Sequence, residues 1–204
     1  MAEPGKRTAT YADIVAAPEH LVAEIIHGEL VTRPRQSFRH GVTTTALAAR
    51  LSGAFQFRKG GPGGWFFFPS TEVKLDSDIV VPDIAGWRRE RLSTLPETNY
   101  LTVAPDWVCE VLSASTERRD RTVKKRIYAE AGVSFLWIVD PREQTLEAFA
   151  LQSGGWTQVG TWRSDDIVSA PPFDAISFSL ADLWPLDRPL GLNEDPQPLY
   201  AGDR

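Results

Sequence analysis

The sequence predicts an α/β fold, a mixed central sheet flanked by helices with an added β-hairpin. Three observations carry this expectation. Between His40 and Phe57, Leu47, Leu51, Ala54 and Phe55 fall at the i, i+4, i+7, i+8 spacing of one buried helical face. The apolar runs "DWVCEVLS" (Asp106–Ser113) and "SFLWIVDP" flank a helical stretch, as in a parallel strand–helix–strand crossover. "TLEAFAL" and "WTQVGTW" alternate with period 2 around "QSGG", the pattern of an antiparallel hairpin.

The remaining elements follow in chain order. Thr10 caps a short helix that runs to about Ala17 and is stopped by Pro18. "AEIIHGELV" (Ala23–Val31) reads as a hairpin, because Gly28 can supply the positive φ that a tight turn at His27-Gly28 needs. "KGGPGGW" ends the long helix; it lacks the Lys-Ser/Thr of a phosphate loop and reads as a linker. Strands are expected at Trp65–Phe68 and Thr71–Leu75, and a further one holds "VVPDIAGW". Residues 88–105 read as a surface loop with a short helix. The helix in "STERRDRTVKKRIYAEAGV" should start near Thr116 and end at Gly132, where a left-handed terminating glycine belongs. Residues 1–185 are expected to form one domain, and the Pro-rich polar stretch 186–204 a mobile tail.

A chain of 204 residues is long enough for one domain with a real core. No run of 18 apolar residues offers a membrane span, and "MAEPGKRTAT" has no secretory apolar region. The single cysteine, Cys109, excludes an intramolecular disulfide and a Cys-type zinc site. The three histidines have no metal-ligand spacing, and a cytoplasmic location is the default. The net charge of −5 does not mark the whole chain as a nucleic-acid binder. Local clusters do stand out: Arg33, Arg35 and Arg39; Arg88, Arg89 and Arg91; and Arg118, Arg119, Arg121, Lys124, Lys125 and Arg126. Trp65, Trp87, Trp107 and Trp137 read as core residues.

Two apolar strands each carry one acid, Asp83 in "VVPDIAGW" and Glu110 in "DWVCEVLS". An isolated dry carboxylate costs several kcal/mol. If the strands are neighbours, the two acids repel each other unless a cation lies between them, and Mg²⁺ favours such a site. Pro82 cannot donate to a sheet ladder and favours an edge or bulge that re-aims Asp83. On the following helix, Asp120, Lys124 and Tyr128 form one stripe. Val123, Ile127 and Ala131 form the adjacent one, expected to face the core. Lys124 would then sit at the border between core and solvent, able to reach the sheet end.

"AEIIHGEL", "VVPDIAGW", "PDWVCEVLSAST", "DRTVKKRIYAEAGV" and "FLWIVDP" in this order resemble the Uma-type family of restriction-endonuclease-like proteins, a branch of the PD-(D/E)XK nuclease superfamily. The resemblance spans roughly residues 10 to 185. It implies a restriction-endonuclease-like α/β fold and divalent-metal cleavage of phosphodiester bonds. Asp83 matches the Pro-Asp carboxylate and Glu110 the second acid. The superfamily lysine position two residues later is Leu112 here, and Lys124 on the next helix takes its place, as in this branch. Glu24 resembles an upstream acid that joins the site, and His40 a polar residue opening the first long helix.

The resulting expectation is a Mg²⁺-dependent endonuclease acting on DNA, with Mn²⁺ as the alternative ion. Asp83 and Glu110, with Glu24, would hold the metal, and Lys124 would orient water or stabilise phosphate charge. Arg35, Arg39, Arg118, Arg119 and Arg121 would hold the nucleic-acid backbone. The rival expectation is an inactive nuclease-like module that binds nucleic acid or protein. A homodimer, with the aromatic hairpin as its interface, fits the same resemblance.

Overall fold

The computed structural model describes residues 7–92, 94 and 97–185; the expected tail, 186–204, lies outside the described residues. The first helix, α1 (Tyr11–Val15), is capped through Asp13, whose carboxylate accepts the Thr10 N–H at 2.7 Å and the Thr10 hydroxyl at 2.9 Å. Strands β1 (Leu21–Ile26) and β2 (Glu29–Pro34) form the expected hairpin. His27 and Gly28 both take positive φ, 52° and 77°. Helix α2 (Phe38–Leu51) starts two residues earlier than expected, because the Ser37 hydroxyl accepts the His40 N–H. It closes in a π-helical turn, Ser52–Gln56.

Two sheets follow, rather than one. A four-stranded antiparallel sheet has the order β2-β1-β5-β4, with β4 Val73–Leu75 and β5 Asp78–Val80. The six-stranded sheet has the order β10-β9-β8-β7-β6-β3. Its strands are β3 (Trp65–Pro69), β6 (Ile84–Arg88), β7 (Trp107–Val111), β8 (Phe135–Asp140), β9 (Thr145–Gln152) and β10 (Gly155–Arg163). Only β7 and β8 pair in parallel, so the sheet is mixed, as expected. The β9–β10 pair is the added hairpin. A small ribbon, β11 (Ile167–Val168) with β12 (Phe178–Ser179), ends the described chain with the 3₁₀ turn Leu180–Leu183.

The expected single strand "VVPDIAGW" is divided: β5 and β6 lie in different sheets. Pro82 has no N–H to continue a ladder. The chain therefore leaves one sheet at Val81 and enters the other at Ile84. The loop between β6 and β7 is also less superficial than expected. Leu92 and Leu101 are buried, and Leu101 bridges Val73.

Period-2 alternation sorts β7 between two cores. Trp107, Cys109 and Val111 join Leu47, Leu51 and Phe55 of α2 on one face. There Trp107 and Trp137 meet edge to face at 5.4 Å and both pack on Phe173. Val108 and Leu112 face the opposite way, with Ile127 and Tyr128 and with Val73 and Val80 of the smaller sheet. Glu110, between them in sequence, points into that second layer.

The helical crossover after β7 is not one continuous α-helix. It runs as α3 (Glu117–Arg119), a π-helical turn (Asp120–Lys124) and α4 (Lys125–Glu130), with Gly132 at φ 74° closing it as expected. The stripe expected at the border is the deeper one. Asp120, Lys124 and Tyr128 are 4%, 1% and 0% exposed; of the stripe expected to face the core, Ile127 is buried as expected, whereas Val123 and Ala131 are half-buried against that core. A π turn fits an extra residue into the helix and rotates the face that follows. The charged groups tolerate this depth because they meet opposite charges there.

Candidate active site

The centre is built where the chain crosses between sheets. The β6–β7 ladder ends at Ile84 with Cys109, and Asp83 and Glu110 lie just beyond that pair, where Asp83 Oδ2 accepts the Val111 N–H at 2.8 Å. The two acids expected from sequence therefore come together, and both are almost fully buried. Glu24 arrives from β1 of the other sheet. Its Oε1 accepts the Val81 N–H at 2.8 Å, one of the backbone groups released by the crossover.

Lys124 reaches into this space from the π turn. Its Nζ lies 2.7 Å from Glu110 Oε1, 3.2 Å from Glu24 Oε1 and 4.0 Å from Asp120. It also donates to the Val81 carbonyl at 3.2 Å. Val81 is thus tied by both its N–H and its C=O to site side chains, which makes the break in the sheet part of the centre. Tyr128 donates a short hydrogen bond to Glu110 Oε1.

Asp83 is held on both oxygens. Oδ1 accepts a short hydrogen bond from the Gln36 amide and stands 3.5 Å from Arg33 Nη2. Oδ2 accepts from His40 Nε2 at 3.0 Å and from the Val111 N–H at 2.8 Å. The His40 ring is in turn fixed through Nδ1, 3.2 Å from the Thr44 hydroxyl. Helix α2 thus positions Asp83 through residues one turn apart.

These contacts set the charges. Burial works to raise the Asp83 carboxyl, but the His40 hydrogen bond and the charges of Lys124 and Arg33 hold it below the usual range. Burial pushes Glu110 up to about 8; Lys124 opposes the rise, and the charges of Asp120 and Asp83 add to it. Burial also raises Asp120. For Lys124, burial would lower the ammonium, yet Glu110, Glu24 and Asp120 together hold it above its usual value. Four buried carboxylates, Glu24, Asp83, Glu110 and Asp120, thus surround two permanent cations, Lys124 and Arg33.

The raised Glu110 has a consequence for stability. Below the unfolded value of 4.5 its carboxyl is protonated in both states, and its contribution is fully present. Between 4.5 and about 8 only the unfolded chain ionises, so stability is lost as pH rises through that window and levels off above it. Urea unfolding in chelator should show the stability of wild type, relative to Glu110→Gln, falling across this range. A flat difference would contradict the raised value.

The expected surface arginines divide. Arg35, Arg39 and Arg118 are exposed and Arg119 is half-buried. Arg35 donates to the Glu19 carbonyl at 2.7 and 3.2 Å. Arg121 is held by Glu117 at 3.5 Å and by a short contact to Glu147, so its guanidinium is already ion-paired. Sequence reasoning missed Gln36 and Thr44, and counted Arg33 only as part of a basic cluster. The period-2 pattern of β2 carries a signal for Arg33, which shares a strand face with Val31. Nothing in the sequence singles out Gln36.

A cleft of about 570 Å³ lies beside this centre, with Arg33, Gln36 and Val81 in its lining. Among the described residues no helix is long and apolar enough to cross a membrane.

The fold resembles the crystal structure of "a putative nuclease belonging to DUF820 from Anabaena variabilis ATCC 29413", with a TM-score of 0.71. The likeness covers 86% of this chain and 97% of that one at 21% identity, and it bears out the restriction-endonuclease-like fold. No curated protein sequence matches the chain. The Uma2 family, described as "Putative restriction endonuclease", matches residues 10–181, a span that includes Glu24, His40, Asp83, Glu110 and Lys124. The chain belongs to the Uma2 family.

Proposed function

We propose that this protein is a metal-dependent endonuclease that hydrolyses phosphodiester bonds in DNA. The observation that carries the reading is the buried neighbours Asp83 and Glu110 at the end of the β6–β7 ladder, with the Lys124 ammonium 2.7 Å from Glu110. Membership of the Uma2 family and the likeness to a nuclease fold support hydrolysis of a nucleic acid.

The donor set suits a hard divalent ion. Its carboxylates offer oxygen alone, the ligand type that Mg²⁺ and Mn²⁺ favour, and a bound cation would favour the ionised form of Glu110, which burial raises in its absence. Among the described residues no group of three or more His, Cys, Asp or Glu is placed to hold an ion. In this reading Asp83 and Glu110 would be the two protein ligands, with Glu24 nearby and water and substrate oxygens completing the shell, as is usual for Mg²⁺. Such an ion supplies Lewis-acid polarisation of the phosphate and an acidified water.

The chain's own groups do the rest. His40, Gln36 and the Val111 N–H keep the Asp83 carboxylate oriented. Tyr128 does the same for Glu110. Lys124, a permanent cation in a dry pocket, stabilises charge that builds on the phosphate or holds the attacking water. Leu112, at the usual lysine position, is buried in the second core and leaves that role to Lys124. The arginines near the centre, Arg35, Arg39, Arg118, Arg119 and Arg121, would supply backbone contacts, and Arg121 would have to exchange its ion pairs with Glu117 and Glu147 for them.

Plasmid and single-stranded DNA should be cut in Mg²⁺ or Mn²⁺ and left intact in chelator. Mn²⁺ uptake, followed by calorimetry, should be present in wild type and lost in Glu110→Ala. DNA binding with neither cutting nor Mn²⁺ uptake would leave the inactive binding module standing in place of the enzyme.

A further inference from the structure

Arg33 is a buried cation whose hydrogen-bonding capacity the Asp83–Glu110 centre does not exhaust. It projects inward from β2 and is 8% exposed. Among the described residues its polar partners are Asp83 Oδ1 and the Val81 carbonyl, both at 3.5 Å and both through Nη2. These are contacts at the outer limit of hydrogen bonding. A guanidinium carries five N–H donors in a planar fork that matches the oxygens of a phosphate. Burial works against its charge, but Asp83, Glu24, Glu110 and Asp120 together favour the charged form.

The cleft beside Arg33 has a polarity of its own. Arg33, Arg35 and Gln36 line one part of it, and Gln36 is also bonded to Asp83, so this part adjoins the buried centre. Val15, 67% exposed, and Pro18 contribute apolar wall. Glu72 also lines the cleft and interacts with the Tyr11 hydroxyl. Glu19, whose carbonyl accepts from Arg35, lines the cleft as well. A phosphate would be repelled by Glu72 and Glu19 and drawn to the buried Arg33, with the apolar wall left for sugar and base.

We propose that the Arg33 end of this cleft is a phosphate subsite, in which Arg33 grips a backbone phosphate of the bound nucleic-acid strand bidentately, with Gln36 and Arg35 beside it. The inference rests on the nuclease reading and adds where the strand lies and which side chain anchors it.

The test is binding rather than cutting. A fluorescein-labelled DNA oligonucleotide, single-stranded in one arm and duplex in the other, is titrated with full-length protein in Ca²⁺ at several salt concentrations. Arg33→Met should weaken binding roughly 10- to 100-fold, the equivalent of lost charge-assisted hydrogen bonds. The plot of log affinity against log salt should become shallower by about 0.7 to 0.9, the change for one phosphate contact. Arg33→Lys keeps the charge and loses the fork, so it should bind with intermediate affinity. Thermal melts report whether each variant is folded. A folded Arg33→Met with wild-type affinity and slope overturns the subsite and leaves the nuclease reading intact. If Arg33→Met does not fold, wild-type affinity in a folded Arg33→Lys overturns it equally. Wild type that binds DNA through Arg33 yet never cuts it removes the nuclease reading and keeps the subsite. Wild type that binds no DNA removes both.

Discussion

Replacing Lys124 by methionine is expected to destabilise the fold by roughly 3–5 kcal/mol, the usual effect of removing one partner from a buried ion cluster. The ammonium sits 2.7 Å from Glu110, 3.2 Å from Glu24 and 4.0 Å from Asp120, and it is 1% exposed. Methionine fills much of the same volume, so lost packing is a minor part of the effect. What remains is four carboxylates in a dry layer, Glu24, Asp83, Glu110 and Asp120, with Arg33 as the other permanent cation nearby. They would have to take up protons or admit water. The loss should therefore be smaller near pH 5 than near pH 8, because protonation relieves uncompensated acids at the lower pH. Adding Glu110→Gln to Lys124→Met should recover part of the stability, since the two groups are directly coupled. Urea unfolding of the four proteins measures all of this. A loss below about 1 kcal/mol would mean that the cluster is not held together by its lysine.

Asp83→Asn is expected to reduce DNA cleavage by at least roughly 10²-fold while leaving the chain folded. The carboxylate has four neighbours that donate to it or stand close with positive charge: Gln36, Arg33, His40 and the Val111 N–H. An amide has one acceptor oxygen, and its NH₂ would face donors on the other side. It also lacks the charge that a divalent ion requires. The substitution removes one of the acids that raise Glu110, so Glu110 should titrate lower in the variant. This gives a readout in the absence of metal, the pH dependence of stability. It should cost some stability at neutral pH, because the fold favours the ionised Asp83 carboxylate, so a thermal melt has to show that the variant is folded before its activity is compared. Cleavage at the wild-type rate by pure Asp83→Asn would mean that the activity belongs to a contaminant or to another site.

Much of the architecture was legible because it depends on periodicity. The β1–β2 and β9–β10 hairpins, the long helix α2 and the β7–helix–β8 crossover all follow from spacings of apolar residues and from Gly28 and Gly132. The acids Asp83 and Glu110 stood out because a carboxylate in an apolar run has to be compensated. The division of "VVPDIAGW" between two sheets was signalled by Pro82 but not specified by it, since a proline shows where a ladder stops and not where the chain goes next. The π turn at Asp120–Lys124 left no periodic trace, and it moved Lys124 from the expected border to the interior.

By itself, then, the sequence singled out Asp83 and Glu110 as acids in apolar runs and Lys124 on the stripe beside them, and its resemblance to the Uma-type family added Glu24. Only the tertiary structure decided that they compensate one another, and it recruited Arg33, Gln36, Thr44 and the backbone of Val81 and Val111 to the same place. The physical reason is range. Helix and strand signals act between neighbours along the chain, whereas the energy of a buried charge depends on every group brought within a few ångströms of it, whatever its position in sequence.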